Sequence, residues 1–360
     1  MAPQVRVLVV GLGNMGASHA SAYHRNDGFE IVGLMSRSLK SKLIPEELRR
    51  YPLYEDFDVA LVETKPDAVS INTWPNSHAS YALKAFAAGC HVFMEKPIAT
   101  TIADAEAVVA AAKAADRKLV LGYILRVHPS WVKFIEVGQT LGKPLVMRMN
   151  LNQQSSGAAW HWHKNLIDSL IPIVDCGVHY VDVMCQLTKA KPVRVHGIGA
   201  VLWGEAKKAN YGHLHVTFDD GSVGWYEAGW GPMMSETAFF VKDIVGPKGS
   251  VSLVANDAAR KGADDLSGSA DIDKHTKTDA IRIHYADVGA DKSFTRADEI
   301  LSMEDEPGHQ ELCDREQAWF LKAIREDLDL SDSMAAAVDS LRIVLAAEQS
   351  ILEERVVRLD

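Results

Sequence analysis

The stretch VRVLVVGLGNMGASHA, Val5 to Ala20, decides the fold. Its first six residues, apolar but for Arg6, read as a buried strand; three glycines spaced Gly11-x-Gly13-x-x-Gly16 follow at once, and a helical pattern opens at Asn14. Gly11 permits a tight turn, Gly13 lets a ligand approach the backbone, and Gly16 lets the helix pack close to the strand. Amides at the start of a helix attract an anion, so Gly11, Gly13, Asn14, Met15 and Gly16 are read as the cradle of a dinucleotide pyrophosphate.

Working outward, the same alternation continues through FEIVGLMS (29–36), AVSINT (68–73), HVFME (91–95) and KLVLGY (118–123), with helical patterns over 14–26, 76–88 and 102–115. Near-continuous apolar strands joined by helices give an α/β fold with an N-terminal Rossmann, doubly wound parallel sheet, expected over 1–124. Beyond it the runs lengthen and alternate, as in PLVMRMNLNQ, VRVHGIGAVL and HLHVTFDDGSVGWYEAGW, with Asp219-Asp220-Gly221 as a hairpin turn. They predict a C-terminal α+β domain with a large, mostly antiparallel sheet over 125–360, the C-terminal helices included. Residues 261–279, polar and turn-rich, read as a surface excursion.

A chain of 360 residues exceeds what one core usually organises, and 47% hydrophobic residues supply two. The net charge of −10 repels phosphate backbones and anionic membranes, which excludes nucleic acid and membrane as expected partners. Cys90, Cys176, Cys185 and Cys313 form no CxxC pair and read as buried thiols of a reducing compartment. The first residues lack the pattern of a signal peptide, and the expected location is the cytoplasm.

In a doubly wound sheet, ligands sit beyond the carboxyl ends of the strands. The second strand ends at Ser36-Arg37-Ser38, where an acid would select NAD through the ribose hydroxyls; two hydroxyls and a guanidinium suit a 2′-phosphate, so NADP is favoured. The alternative is that Arg37 stacks on adenine and NAD binds as well. The run VFMEKPIAT, Val92 to Thr100, delivers Glu95 and Lys96 to the same edge, and Pro97 fixes the direction of the lysine, a cis bond being one way to do so. An ammonium there can polarise a substrate oxygen. In IVDCGVHYVDVM, Asp175 and His179 stand at i, i+4 on one helical face with Asp182 three residues on, and a carboxylate beside an imidazole makes a base suited to alcohol oxidation.

His161-x-His163 and His213-x-His215 have the spacing of metal ligands on a strand but lack a third ligand, so no metal is expected. Trp160, Trp162, Trp203, Trp225 and Trp230 all lie in the second half. Trp160 and Trp162, just ahead of Asp175, are the candidates for stacking on a sugar ring, with His163 in the pocket wall; the rest read as core or interface. The sheet positions of HLHVTF and GWYEAGW that face away from the helices carry His and Trp, so a homodimer or homotetramer is expected to cover them.

Together these residues resemble the Gfo/Idh/MocA family, the glucose-fructose oxidoreductase and inositol dehydrogenase type. The likeness runs through GLGNMG, WPNSHASYALKAFAAGCHVFMEKPIA, GYILRVHPSW, DCGVHYVD and GPKGSV. It implies an NAD(P)-dependent oxidoreductase that moves a hydride between a sugar, inositol or related polyol and the nicotinamide. By the same resemblance Lys96, Asp175 and His179 form the catalytic group; Thr73, Trp74, Pro75, Asn76, His78 and Glu95 lie along the cofactor; and Tyr123 and Arg126 face the substrate. Many members carry glycines shortly before the aspartate, where this chain reads SLIPIVD, residues 169–175. Lys96 and His179 both stay open as the immediate base. Two rivals use the same scaffold: a redox-assisted glycoside hydrolase or epimerase that recycles NAD, and a non-catalytic nucleotide sensor.

Overall fold

The computed structural model of the chain describes residues 3–39, 44–234, 241–254, 278–303 and 306–359. They form two compact units, one of Met1–Val127 with Pro307–Val338, the other of His128–Glu306 with Asp339–Asp360. Most of the expected excursion, 261–277, lies outside the described residues.

The first unit holds β1 (Val5–Val10), α1 (Asn14–Arg25), β2 (Phe29–Met35), β3 (Leu53–Tyr54), α2 (Phe57–Thr64), β4 (Ala68–Ile71), α3 (His78–Ala87), β5 (His91–Met94), α4 (Ile102–Ala115) and β6 (Leu119–Leu121). Its sheet runs β3-β2-β1-β4-β5-β6 with every pair parallel. The order reverses between β1 and β4, which opens a crevice at their carboxyl ends. Val7, Val9, Ile31, Phe93 and Val120 build the core on one face.

The expected second domain reached from 125 to the C-terminus, but residues 307–338 group with the first unit. The reason is the buried face of α9 (His309–Arg325), where Leu312, Cys313, Glu316, Gln317, Phe320 and Ala323 recur at helical spacing. Phe320 is fully buried and stacks near Phe29 and Phe93, with both ring centroids 6.1 Å away. Burying a phenylalanine contributes about 1.5–3 kcal/mol. The next helix, α10 (Ser331–Glu353), supplies residues to both units.

The second unit holds α5 (Pro129–Thr140), β7 (Val146–Gln154), α6 (Gly157–Ile167), α7 (Pro172–Asp175), α8 (Gly177–Thr188), β8 (Pro192–Ala200), β9 (Tyr211–Phe218), β10 (Val223–Gly231), β11 (Lys242–Gly246), β12 (Gly249–Val254), β13 (Ala280–Tyr285), β14 (Glu299–Ser302) and β15 (Val357–Arg358). Its sheet runs β14-β13-β12-β11-β7-β10-β9-β8-β15, antiparallel except where β10 meets β7. The Asp219-Asp220-Gly221 hairpin joins β9 to β10, and Gly221 takes φ +83°, which a side chain would resist. Along β9, Leu214, Val216 and Phe218 are buried while His213 and Thr217 remain partly exposed and His215 is exposed, the alternation of a sheet with one covered face.

Candidate active site

In the first unit the glycine cradle closes the crevice between β1 and β4. Gly11 sits at φ +90°, and a Cβ there would fall 2.4 Å from the Asn72 carbonyl oxygen; one on Gly16 would fall 2.0 Å from that of Gly11. A Cβ on Gly13 would meet nothing within 4 Å, so the space above this residue is open. Gly13 caps α1 without a side-chain bond, and the first turn carries no acid. Unscreened amides at a positive helix end, with room above them, fit a pyrophosphate.

The side chains that follow are placed by strand ends. Ser36 is buried, its amide donating to Tyr54 O at 2.9 Å, while Arg37 and Ser38 are exposed in the turn after β2. At the end of β4, the Thr73 and Ser77 hydroxyls lie 2.7 Å apart and Pro75 opens a short 3-10 turn, so α3 begins at His78 rather than 76. Trp74 and Asn76 are exposed on that turn. His78 is fully buried, with Nδ1 2.7 Å from Pro97 O and Nε2 2.9 Å from Thr73 O. Burial lowers its pKa while the two backbone carbonyls raise it; the neutral ring has one N–H and donates to one of the two, lying between this loop and the carbonyl of Pro97.

Glu95 and Lys96 follow β5, and Lys96–Pro97 is a cis peptide. Glu95 is buried against His19, with Oε1 2.8 Å from Nε2, while Lys96 is partly exposed. Tyr123 is buried beneath the Arg126 guanidinium, 5.1 Å from its ring centre, and Arg126 donates to the Ser333 hydroxyl at 2.6 Å.

In the second unit Asp175 ends α7 and His179 lies in the first turn of α8, with Cys176 as the joint. Cys176 keeps helical torsions, φ −81° and ψ −34°, so the i, i+4 spacing nearly survives the break. Asp175 is buried and His179 partly exposed. Asp182 is buried and accepts from Gln186 Nε2 at 2.8 Å, so it belongs to the helix packing.

His161 and His163 sit on α6, not on a strand, and residues two apart on a helix point in different directions, so their expected common face does not form. His163 is buried and stacks on Trp230, centroids 4.4 Å apart and planes 14° from parallel. The Trp230 indole N–H donates to Gln153 Oε1 at 2.6 Å, and the Cys176 thiol approaches the same oxygen at 3.4 Å. Burial pushes the His163 pKa down to about 4 against the opposing charge of Asp175, so the ring is neutral near pH 7. Its Nδ1 is buried and has no hydrogen-bond partner among the described residues, an atom that a ligand hydroxyl can satisfy. Trp162 is half exposed against His163, whereas Trp160 is buried with its N–H 3.3 Å from Glu205.

Two groups were missed in the sequence. Gln153 and Trp230 lie on β7 and β10, paired side by side, and only that pairing brings them under His163. His19 and Gln317 meet although 298 residues apart. The one available signal was a polar His19 on the inward face of α1, three residues past Gly16.

The neutral His163 has a consequence for stability. An unfolded histidine takes up its proton near pH 6.5 while the folded ring resists until about 4, so the unfolded state binds more protons in between and stability falls as the pH is lowered through that window. The loss assigned to this ring is up to about 3 kcal/mol. His163→Phe keeps the stack without the proton site and should lose less stability than wild type in denaturation at pH 6.5 and 4.5; parallel losses would contradict a neutral His163.

A glycine cradle at the switch point of a parallel sheet, with a lysine delivered at the end of a neighbouring strand, is the arrangement of a dinucleotide-dependent oxidoreductase. The chain belongs to the GFO/IDH/MocA family: residues 5–123 match its oxidoreductase family, NAD-binding Rossmann fold model, and residues 135–252 match its C-terminal domain model. UDP-N-acetylglucosamine 3-dehydrogenase of Acidithiobacillus ferrooxidans is 27% identical over 219 residues, which cover 61% of this chain and 65% of that one. NAD-dependent scyllo-inositol 2-dehydrogenase of Bacillus subtilis is 27% identical over 267 residues, 70% of this chain and 74% of that one. A crystal structure of an NAD-binding oxidoreductase from Klebsiella pneumoniae superposes with a TM-score of 0.79 at 18% identity, covering 99% of both chains, and shows the same fold.

Proposed function

We propose that the protein is a nicotinamide-dependent dehydrogenase of a sugar, inositol or related polyol, with Lys96, Asp175 and His179 carrying the chemistry. The observation that supports this reading most is the delivery of Lys96 at the carboxyl end of β5, in the same sheet whose β1 end carries the open glycine cradle. The names of the relatives, a nucleotide-sugar dehydrogenase and an inositol dehydrogenase, support the substrate class. When bound, the nicotinamide supplies the hydride acceptor. His179 takes the proton of the substrate hydroxyl, Asp175 orients and charge-compensates the imidazole, and Lys96 donates to the oxygen as negative charge develops on it. His163 and Trp162 hold the ring of the substrate, the former through Nδ1 and the latter through its exposed face.

Gly11, Gly13, Asn14, Met15 and Gly16 hold the pyrophosphate in this reading, and the loop from Thr73 to Asn76 flanks the cofactor. Ser36, Arg37 and Ser38 favour NADP, because the turn after β2 offers hydroxyls and a guanidinium and no carboxylate. Arg37→Asp should weaken NADPH binding by about tenfold and narrow or invert the preference over NADH, as read by fluorescence titration. Equal wild-type affinities for the two would assign Arg37 to the adenine alone.

Four buried cysteines, in no disulfide among the described residues, support a cytoplasmic location, and no helix of the described residues is long and apolar enough to cross a membrane. The partly exposed sheet face bearing His213, His215 and Trp225 is assigned to contact with a second copy. Light scattering at micromolar concentration should therefore give a dimer or tetramer, and a monomer mass would remove that assignment. The functional reading is tested by a panel of aldoses, inositols and anhydrosugars assayed with NAD and NADP for nicotinamide absorbance, in which at least one should be oxidised.

A further inference from the structure

Beneath Lys96 the first unit buries an unusually polar cluster. His19 on α1 is fully buried between α9 and the end of β5. Its Nδ1 lies 2.9 Å from Gln317 Nε2 and its Nε2 lies 2.8 Å from Glu95 Oε1. Gln317 as placed donates to Nδ1, which puts the ring proton on Nε2; with the amide turned over, Nδ1 is protonated as well. Against an ionised Glu95, which only accepts, Nε2 carries a hydrogen and donates. The other carboxylate oxygen of Glu95 accepts the backbone N–H of Lys96 at 3.1 Å. On the far side Gly122 leaves room: a Cβ there would stand 3.2 Å from the Glu95 carboxyl carbon.

The groups facing Glu95 and His19 come from several elements. Cys313 and Glu316 on α9 have ligand atoms within 4.8 Å of one another and of His19. Both nitrogens of His19 are already engaged by protein groups, so the cluster reads as a hydrogen-bond network and not as a cation site. Burial pushes the Glu316 carboxyl well above the carboxylate range, and the charge of Glu95 adds to the shift; burial raises the Cys313 thiol in the same way. Both shifts favour the uncharged acid and thiol. His78 on α3 feels the charges of both Glu95 and Lys96, His309 on α9 lies 3.6 Å from the Cys313 sulfur, and Asp314 and Arg25 act on that thiol from α9 and α1. A buried ionised carboxylate stabilises a fold less than well-packed hydrocarbon of the same volume would. What it adds here is direction at the peptide that carries the lysine.

We propose that His19 is a positioning residue: clamped by Gln317, it fixes the Glu95 carboxylate that holds the Lys96 amide, and so aims the lysine. The proposal rests on the reading of Lys96 as the oxyanion donor. His19→Leu removes the donor at similar size, whereas the amide of His19→Gln can reach Glu95 again. His19→Leu should lower turnover at least tenfold at pH 7 with cofactor affinity within about threefold of wild type. Without its donor, buried Glu95 takes up a proton more readily as the pH falls, so His19→Leu should also show a new loss of turnover toward acid pH. His19→Gln should recover to within about threefold of wild type and lack that limb. Glu95→Gln, which keeps the shape, should lose turnover without the limb, and it stands in if His19→Leu does not fold.

Turnover is followed with the sugar or polyol that wild type oxidises fastest. Acetylation of Lys96 by acetic anhydride, read by mass spectrometry across pH, gives the same comparison with no substrate, and a change of at least about threefold is expected in His19→Leu and Glu95→Gln. Turnover and acetylation profiles that superimpose on wild type would overturn the proposal. So would an equal loss in His19→Leu and His19→Gln at every pH, which is the signature of a merely structural role. Lys96→Ala run alongside separates the two claims. If it keeps turnover, the catalytic reading fails; if it loses turnover while His19→Leu matches wild type in both readouts, the positioning role fails.

Discussion

Lys96→Ala is expected to lower turnover by about 10²-fold or more while leaving folding and cofactor affinity nearly intact. The size follows from removing one donor to an oxygen whose negative charge grows in the transition state, a loss on the order of 3 kcal/mol. The selectivity follows from where the residue sits. Glu95 is buried and tied to His19, so the turn itself is anchored by its neighbour, whereas the Lys96 side chain is partly exposed. Truncating it removes little packing. Stopped-flow turnover, cofactor titration and thermal unfolding together check the claim, and turnover close to wild type would remove Lys96 from the chemistry.

The second large effect belongs to Asp175. A carboxylate near an imidazole favours the imidazolium, and oxidation needs the neutral base, so wild-type oxidation should rise with pH through an apparent pKa at or above the free histidine value of about 6.5. Asp175→Asn removes the negative charge. The limb should then move to lower pH, and the plateau should fall by about 10²-fold if, as proposed, Asp175 orients the imidazole. The comparison is between variants and not with an isolated histidine. An unmoved limb with an unchanged plateau would assign Asp175 to packing beside Cys176.

Local features carried most of the first unit. Strand, glycines and helix follow one another within sixteen residues, and each element buries its own apolar face, so the cradle and the strand ends could be read in order along the chain. The same local logic failed for α9. Its pattern was read as helical, but nothing in REQAWFLKAIRED says that Phe320 packs against Phe29 and Phe93 rather than within the second unit. In the second unit the strand-like reading of His161-x-His163 was overridden by α6, which turned one ring outward and buried the other on Trp230. Gln153 and the His19–Gln317 contact depend on strand pairing and on a closure of 298 residues, which no periodicity encodes.

In the proposed reaction, hydride leaves the substrate and stays on the cofactor. The most direct measurement is the stoichiometry of product to free reduced nicotinamide in one reaction with the preferred sugar or polyol, product by chromatography and cofactor by absorbance. One reduced cofactor is expected for each product formed, over many turnovers. Product accumulating while the free cofactor stays oxidised would contradict it, and would assign the scaffold to a hydrolase or epimerase that recycles its own hydride.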